Sequence, residues 1–166
     1  QPEETRKPTT DPLSFILRGG FFAQCMLVRR EVLIEAGGFR QGIFYEDLDA
    51  CMRLAFRGSW KLSWDPLVRV IRHESDGGNL SAAWRKNPMK AHASLIDIFG
   101  RLAARDDLPQ QHRETVLRRL AMNRLGLAGA LHQAGERQRA RTELRRVVAE
   151  APRWRQRAKA LIALGG

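Results

Sequence analysis

The sequence predicts an α/β segment with a few short strands, followed by an all-α tail of antiparallel helices, so that helix dominates overall. Three observations predict it. Short β-compatible runs alternate with brief amphipathic stretches up to residue 80. From Ser81 the apolar spacing changes to a helical period and keeps it. Charge divides at the same place: residues 1–80 hold 11 Lys and Arg against 11 Asp and Glu, and residues 81–166 hold 18 against 7. All of the net charge of +11 therefore sits in the second part, and most of it is arginine. The expected divisions are 1–20 as a lead-in, 21–80 as the α/β segment and 81–166 as a helical extension.

Pro2, Pro8 and Pro12, set among Thr, Glu and Lys, make the first twenty residues an extended lead-in. Gly19-Gly20 reads as a turn. Gln24–Arg29 reads as a buried strand, because the run from Phe21 to Val28 is apolar and β-compatible. Glu31–Ala36 is a short helix stopped by Gly37-Gly38. A better helix runs from Glu46 to Arg57, with Leu48, Cys51, Met52 and Ala55 as its apolar stripe and Gly58 as its end. Trp60–Trp64 and Leu67–Ile71 alternate like strands on either side of Asp65-Pro66.

Beyond Ser81, a helix or broken pair covers Ser81–Arg105, with a fresh start at Asn87-Pro88. Asp106–Pro109 connects it to a long helix from Gln110 to about Ala134. Gly135 breaks that helix, Glu136–Glu150 makes another, Pro152 breaks again, and Arg153–Leu164 is the last.

Several classes are excluded at this level. No apolar run approaches the ~20 residues that span a bilayer, and residues 1–10 are polar, so neither a span nor a secretory signal is expected. Cys25 and Cys51 make no disulfide framework, and no Cys/His cluster has zinc spacing. They read as reduced, buried thiols of a cytoplasmic protein.

The sharpest feature is the acidic helix start Tyr45-Glu46-Asp47-Leu48-Asp49, with Arg53 four residues after Asp49. Three carboxylates in a first turn complement the helix dipole, worth about 0.3–1 kcal/mol each. The same placement can project a general base from a loop–helix junction into a cleft.

The blocks around it decide between these. Met26-Leu27-Val28-Arg29-Arg30-Glu31-Val32-Leu33, then Ala36-Gly37-Gly38-Phe39, then Tyr45-Glu46-Asp47-Leu48-Asp49 with Arg53 and Gly58, closely resemble the second half of family 2 glycosyltransferases. These are nucleotide-sugar enzymes of the GT-A fold. Pro66-Leu67-Val68-Arg69-Val70-Ile71-Arg72-His73, with Asn79 and Ser81, is similar to that family's closing strand and histidine. The resemblance covers about Leu13 to Ser81.

The resemblance implies that Asp47 is the general base of an inverting transfer and that Glu46 orients the site or the acceptor. Asp49 and Arg53 brace the helix through an exposed ion pair of their own. It places His73 near the donor diphosphate, where it is a candidate metal ligand; by itself the residue fits a loop hydrogen bond equally well. It also implies Mn²⁺ or Mg²⁺ in the complete enzyme, a nucleotide-sugar donor, and a glycan or lipid-linked acceptor in bacterial polysaccharide assembly. The family's βαβ nucleotide-binding region and its Asp-x-Asp motif have no counterpart before Phe21. The chain is thus expected to be the acceptor-side portion, inactive alone, with no nucleotide-binding residue assigned.

Leu127, Ala128, Leu131, Gly135, Ala140, Leu144, Val147 and Pro152 resemble one tetratricopeptide unit, with Arg124 and Leu131 where its aromatics usually stand. The arginines there read first as a solvated face, with an incidental affinity for an anionic membrane surface that would make the protein peripheral at the inner face of the membrane. Nucleic acid is disfavoured, since no aromatic interleaving supports base stacking. The rival to an enzyme is a non-catalytic helical interaction module.

Overall fold

The computed structural model describes residues 8–9, 11–19, 25–62, 68–69 and 86–165. The chain divides into two compact units, Gln1–Asp76 and Gly77–Gly166. Helix dominates. Among the described residues the strands are β1 (Pro8–Thr9) and β2 (Trp60–Lys61), paired antiparallel with Pro8 opposite Lys61 and Thr9 opposite Trp60.

In the first unit the expected extended lead-in contains a helix, α1 (Pro12–Leu17). Its cause is local. The Asp11 carboxylate accepts the Ser14 N–H at 2.9 Å, and Pro12 takes a first-turn position where its missing donor costs nothing. Leu13, Ile16 and Leu17 are buried.

Cys25–Arg29 does not form the expected strand; residues 26–29 are irregular, and the Leu27 side chain is fully exposed. A β-prone run needs a neighbouring strand to satisfy its N–H and C=O groups, and among the described residues this one has none. Trp60–Lys61 is the described strand within Trp60–Trp64; Leu62, Val68 and Arg69 are irregular, and the remaining strand residues lie outside the described ones.

Helix α2 (Arg30–Glu35) ends in a Schellman turn. Gly38 N–H donates to Leu33 O at 2.9 Å and Gly37 N–H to Ile34 O at 2.8 Å. Gly37 and Gly38 have positive φ, +89° and +61° respectively, which a side chain would resist. Helix α3 (Glu46–Leu54) is shorter than expected, because residues 55–57 leave the helix as turns. It buries Ala50, Cys51, Met52 and Leu54, while Leu48 and Ala55 are half-buried. Both α1 and α2 pack on α3.

Among the described residues the second unit contains four helices in series: α4 (Pro88–Ala103), α5 (Gln110–Gln133), α6 (Arg137–Glu150) and α7 (Trp154–Gly165). Asn87 caps α4 by accepting the Lys90 N–H at 3.0 Å, with Pro88 in the first turn. The α5–α6 corner is another Schellman turn, with Glu136 N–H on Leu131 O at 2.9 Å and Gly135 N–H on His132 O at 3.0 Å. Ala121, Ala128, Leu131, Ala140, Leu144, Val147, Ala151 and Ala160 form one buried cluster. Small residues there let the helices approach closely. Leu131 and Val147 are almost wholly buried, each worth about 1.5–3 kcal/mol.

Polar groups also tie the helices. Arg124 of α5 pairs with Glu143 at 2.9 Å and Glu150 at 3.2 Å, both on α6, and Gln156 of α7 donates to Arg118 O at 3.0 Å.

At the α4–α5 crossing, the His92 ring lies close against Gly126. Its Nδ1 is 3.1 Å from Asn123 Oδ1, and Asn123 in turn donates to Arg119 O. A Cβ on residue 126 would overlap three atoms of that ring. Gly126→Ala should therefore destabilise by about 1–3 kcal/mol through overpacking, although alanine adds about 1 kcal/mol of helix propensity. Adding His92→Ala should restore the melting temperature. A single variant melting above the parent would contradict the close approach.

Candidate functional site

The site is built where α2 ends and α3 begins. Tyr45, just before α3, holds φ 62° and ψ 37°, the left-handed conformation that bulky side chains avoid. Such strain persists only where the surroundings impose it, and it clusters at functional sites. It launches a first turn that carries Glu46, Asp47 and Asp49. Burial raises the Tyr45 phenol above its ordinary pKa.

The structure treats the three carboxylates differently. Asp49 is buried, 4% exposed, and two arginines hold it. Arg53 Nε and Nη2 donate to its Oδ2 at 2.9 and 2.7 Å, and Arg40 Nη1 donates to its Oδ1 at 3.1 Å. Arg53 also reaches back to the end of α2, donating to Ala36 O and, at 2.6 Å, to Gly38 O. Its guanidinium fork thus satisfies the orphan carbonyls of one helix and the carboxylate of the next. The ion pair expected to be exposed is a partly buried clamp, because Arg40 and the α2 carbonyls close over it.

Asp47 is half-buried and Glu46 exposed, and neither has a cationic partner among the described residues. Asp47 Oδ1 accepts the Leu48 N–H at 2.7 Å, which leaves its second oxygen available. The turn therefore separates one locked carboxylate from two that can meet a ligand.

Sequence reasoning missed Arg40. Its signal was the aspartate itself, since a carboxylate taken out of water needs more than one donor. His73 lies outside the described residues. Among the described residues no group of three His, Cys, Asp or Glu could hold a metal ion. A cavity of about 620 Å³ in this unit has Met26, Val28, Arg29, Leu54, Trp60 and Lys61 among its lining residues. Neither Glu46 nor Asp47 lines it.

Cys51 lies one turn beyond Asp47, fully buried, with Sγ 3.3 Å from Met26 Sδ. Burial first, and the Asp47 charge second, push its thiol up to about 12, against a lowering effect of Arg53. Cys25 is exposed. One thiol, Cys25, should react with a disulfide reagent at pH 8 in the native protein, and two after denaturation. Two fast-reacting native thiols would show that α3 is not packed as described. The raised Cys51 pKa also removes stability as pH climbs above about 9 toward 12, because the unfolded thiol loses its proton first.

No helix among the described residues is long and apolar enough to cross a membrane. No protein-family model matches the chain, no curated protein matches it in sequence, and no solved structure matches it in fold.

Proposed function

We propose that about residues 13–81 form the acceptor-side portion of an inverting, nucleotide-sugar-dependent glycosyltransferase of the GT-A type. The observation that carries it is the division within one helical turn: Asp49 locked by Arg40 and Arg53, and Asp47, with no cation on it among the described residues, at a strained loop–helix junction. In this reading Asp47 takes the proton of an acceptor hydroxyl. That oxygen bonds to the anomeric carbon from the face opposite the nucleoside diphosphate, and the carbon–oxygen bond to the diphosphate breaks with its electrons. Glu46, exposed on the same turn, accepts a hydrogen bond from the acceptor and orients it.

The irregular, β-prone segment at 25–29 supports the same reading, since pairing with strands of a nucleotide-binding half would complete its ladder. A divalent ion, with His73 as one ligand, belongs to that complete enzyme and carries no step of the Asp47 chemistry. The acceptor is a glycan or lipid-linked sugar of a surface polysaccharide, and the enzyme works at the inner face of the membrane.

The test joins this segment to the coding sequence directly upstream and measures sugar transfer from nucleotide-sugar donors to glycan hydroxyls. Transfer with inversion at the anomeric carbon supports the reading. An upstream segment without a βαβ unit, or a product of retained configuration, overturns it and favours the helical interaction module.

A further inference from the structure

Helix α7 has two apolar faces, and the second unit uses one. Ala160 sits in the buried cluster, Leu164 packs against it, and Gln156 is buried beside them. On the opposite side Trp154, Ala158, Leu161, Ile162 and Gly165 fall at i, i+4, i+7, i+8 and i+11, the spacing of a second stripe. Its large members are open to water: Trp154 is 72% exposed, Leu161 56% and Ile162 78%.

What borders this stripe identifies what it meets. Arg157 lies along one edge, Arg155 and Lys159 along the other, and Arg153 precedes the helix; α7 carries no Asp or Glu. The Arg155 guanidinium stands over the Trp154 ring, 5.7 Å from its centre. An apolar strip headed by tryptophan and edged by long cationic side chains fits a headgroup boundary. The ring and aliphatic residues enter the acyl edge while the cations stay among phosphates. A second copy of the chain is a poor occupant, because each copy carries a net charge of +11 and the two would repel.

We propose that the outer face of α7 docks the protein onto an anionic lipid surface. The inference rests on the second unit and stands without the glycosyltransferase reading.

The experiment is co-sedimentation of the full chain with vesicles of phosphatidylcholine alone and of phosphatidylcholine with 30% phosphatidylglycerol, at low and high salt. Binding is expected for the anionic vesicles and is lost at high salt. Trp154→Ser with Ile162→Ser should weaken it at least about tenfold, with helix content by circular dichroism unchanged, since neither residue is packed. Arg155→Gln with Lys159→Gln should weaken it about twenty-five-fold, each cation near such a surface contributing about fivefold. The proposal is overturned by equal binding to neutral vesicles, or by anionic binding that the Trp154 and Ile162 changes leave intact. It is also overturned if these changes abolish dimerisation, or capture of an acidic helical peptide, while vesicles stay unbound.

Discussion

Asp47→Asn should lower kcat by about 10²–10⁴, equal to about 3–5 kcal/mol of barrier, while leaving the fold in place. The amide oxygen can still accept the Leu48 N–H that Asp47 Oδ1 accepts at 2.7 Å, so the start of α3 survives the change. What the amide cannot do is take a proton from a hydroxyl. The measurement is kcat in the joined enzyme, beside the melting temperature of the same variant. Donor binding should be nearly unchanged. A variant that keeps full turnover would leave the glycosyltransferase reading without its chemical centre.

Asp49→Asn should do the reverse, lowering stability strongly and the chemistry little. Removing one member of a fully buried ion pair costs about 3–5 kcal/mol, and with both guanidinium groups about a quarter exposed the expected loss here is about 2–3 kcal/mol. The loss exceeds that of an exposed helix pair because two arginines lose the Asp49 charge together, and Arg53 also anchors the end of α2. In a unit of this size the melting temperature should fall by about 10–20 °C. Below that transition, turnover should remain. If Asp49→Asn abolishes turnover without shifting the melting temperature, the roles of the two aspartates are exchanged.

The helical half was legible because its signals are local. The period, Asn87-Pro88, Gly135 and Pro152 each act within a few residues, and the helix ends fall close to them. Helix α1 was legible too, in the pair Asp11-Pro12, but three prolines in twelve residues outweighed it. The strand at 24–29 could not be judged from its own residues, since strand formation depends on a partner that local sequence does not name. The Asp49 clamp failed for a related reason. The i,i+4 spacing gave Arg53, whereas burial came from Arg40, nine residues earlier on an irregular loop, and from the carbonyls of α2. Within the acidic turn, spacing could list three carboxylates but could not say which of them the chain would lock.

Among the described helices of the second unit, α5, α6 and α7 each pack on the one before, and α7 also touches α5. Contacts between chain neighbours close short loops, so little entropy is lost before packing begins to return it. Folding in the microsecond to millisecond range is therefore expected for α4–α7 taken as a unit. As the polypeptide leaves the ribosome, α5 and α6 can close around Gly135 before α7 emerges. The face carrying Trp154 is then made after α5 and α6 have closed, presented only when those helices already hold their shape.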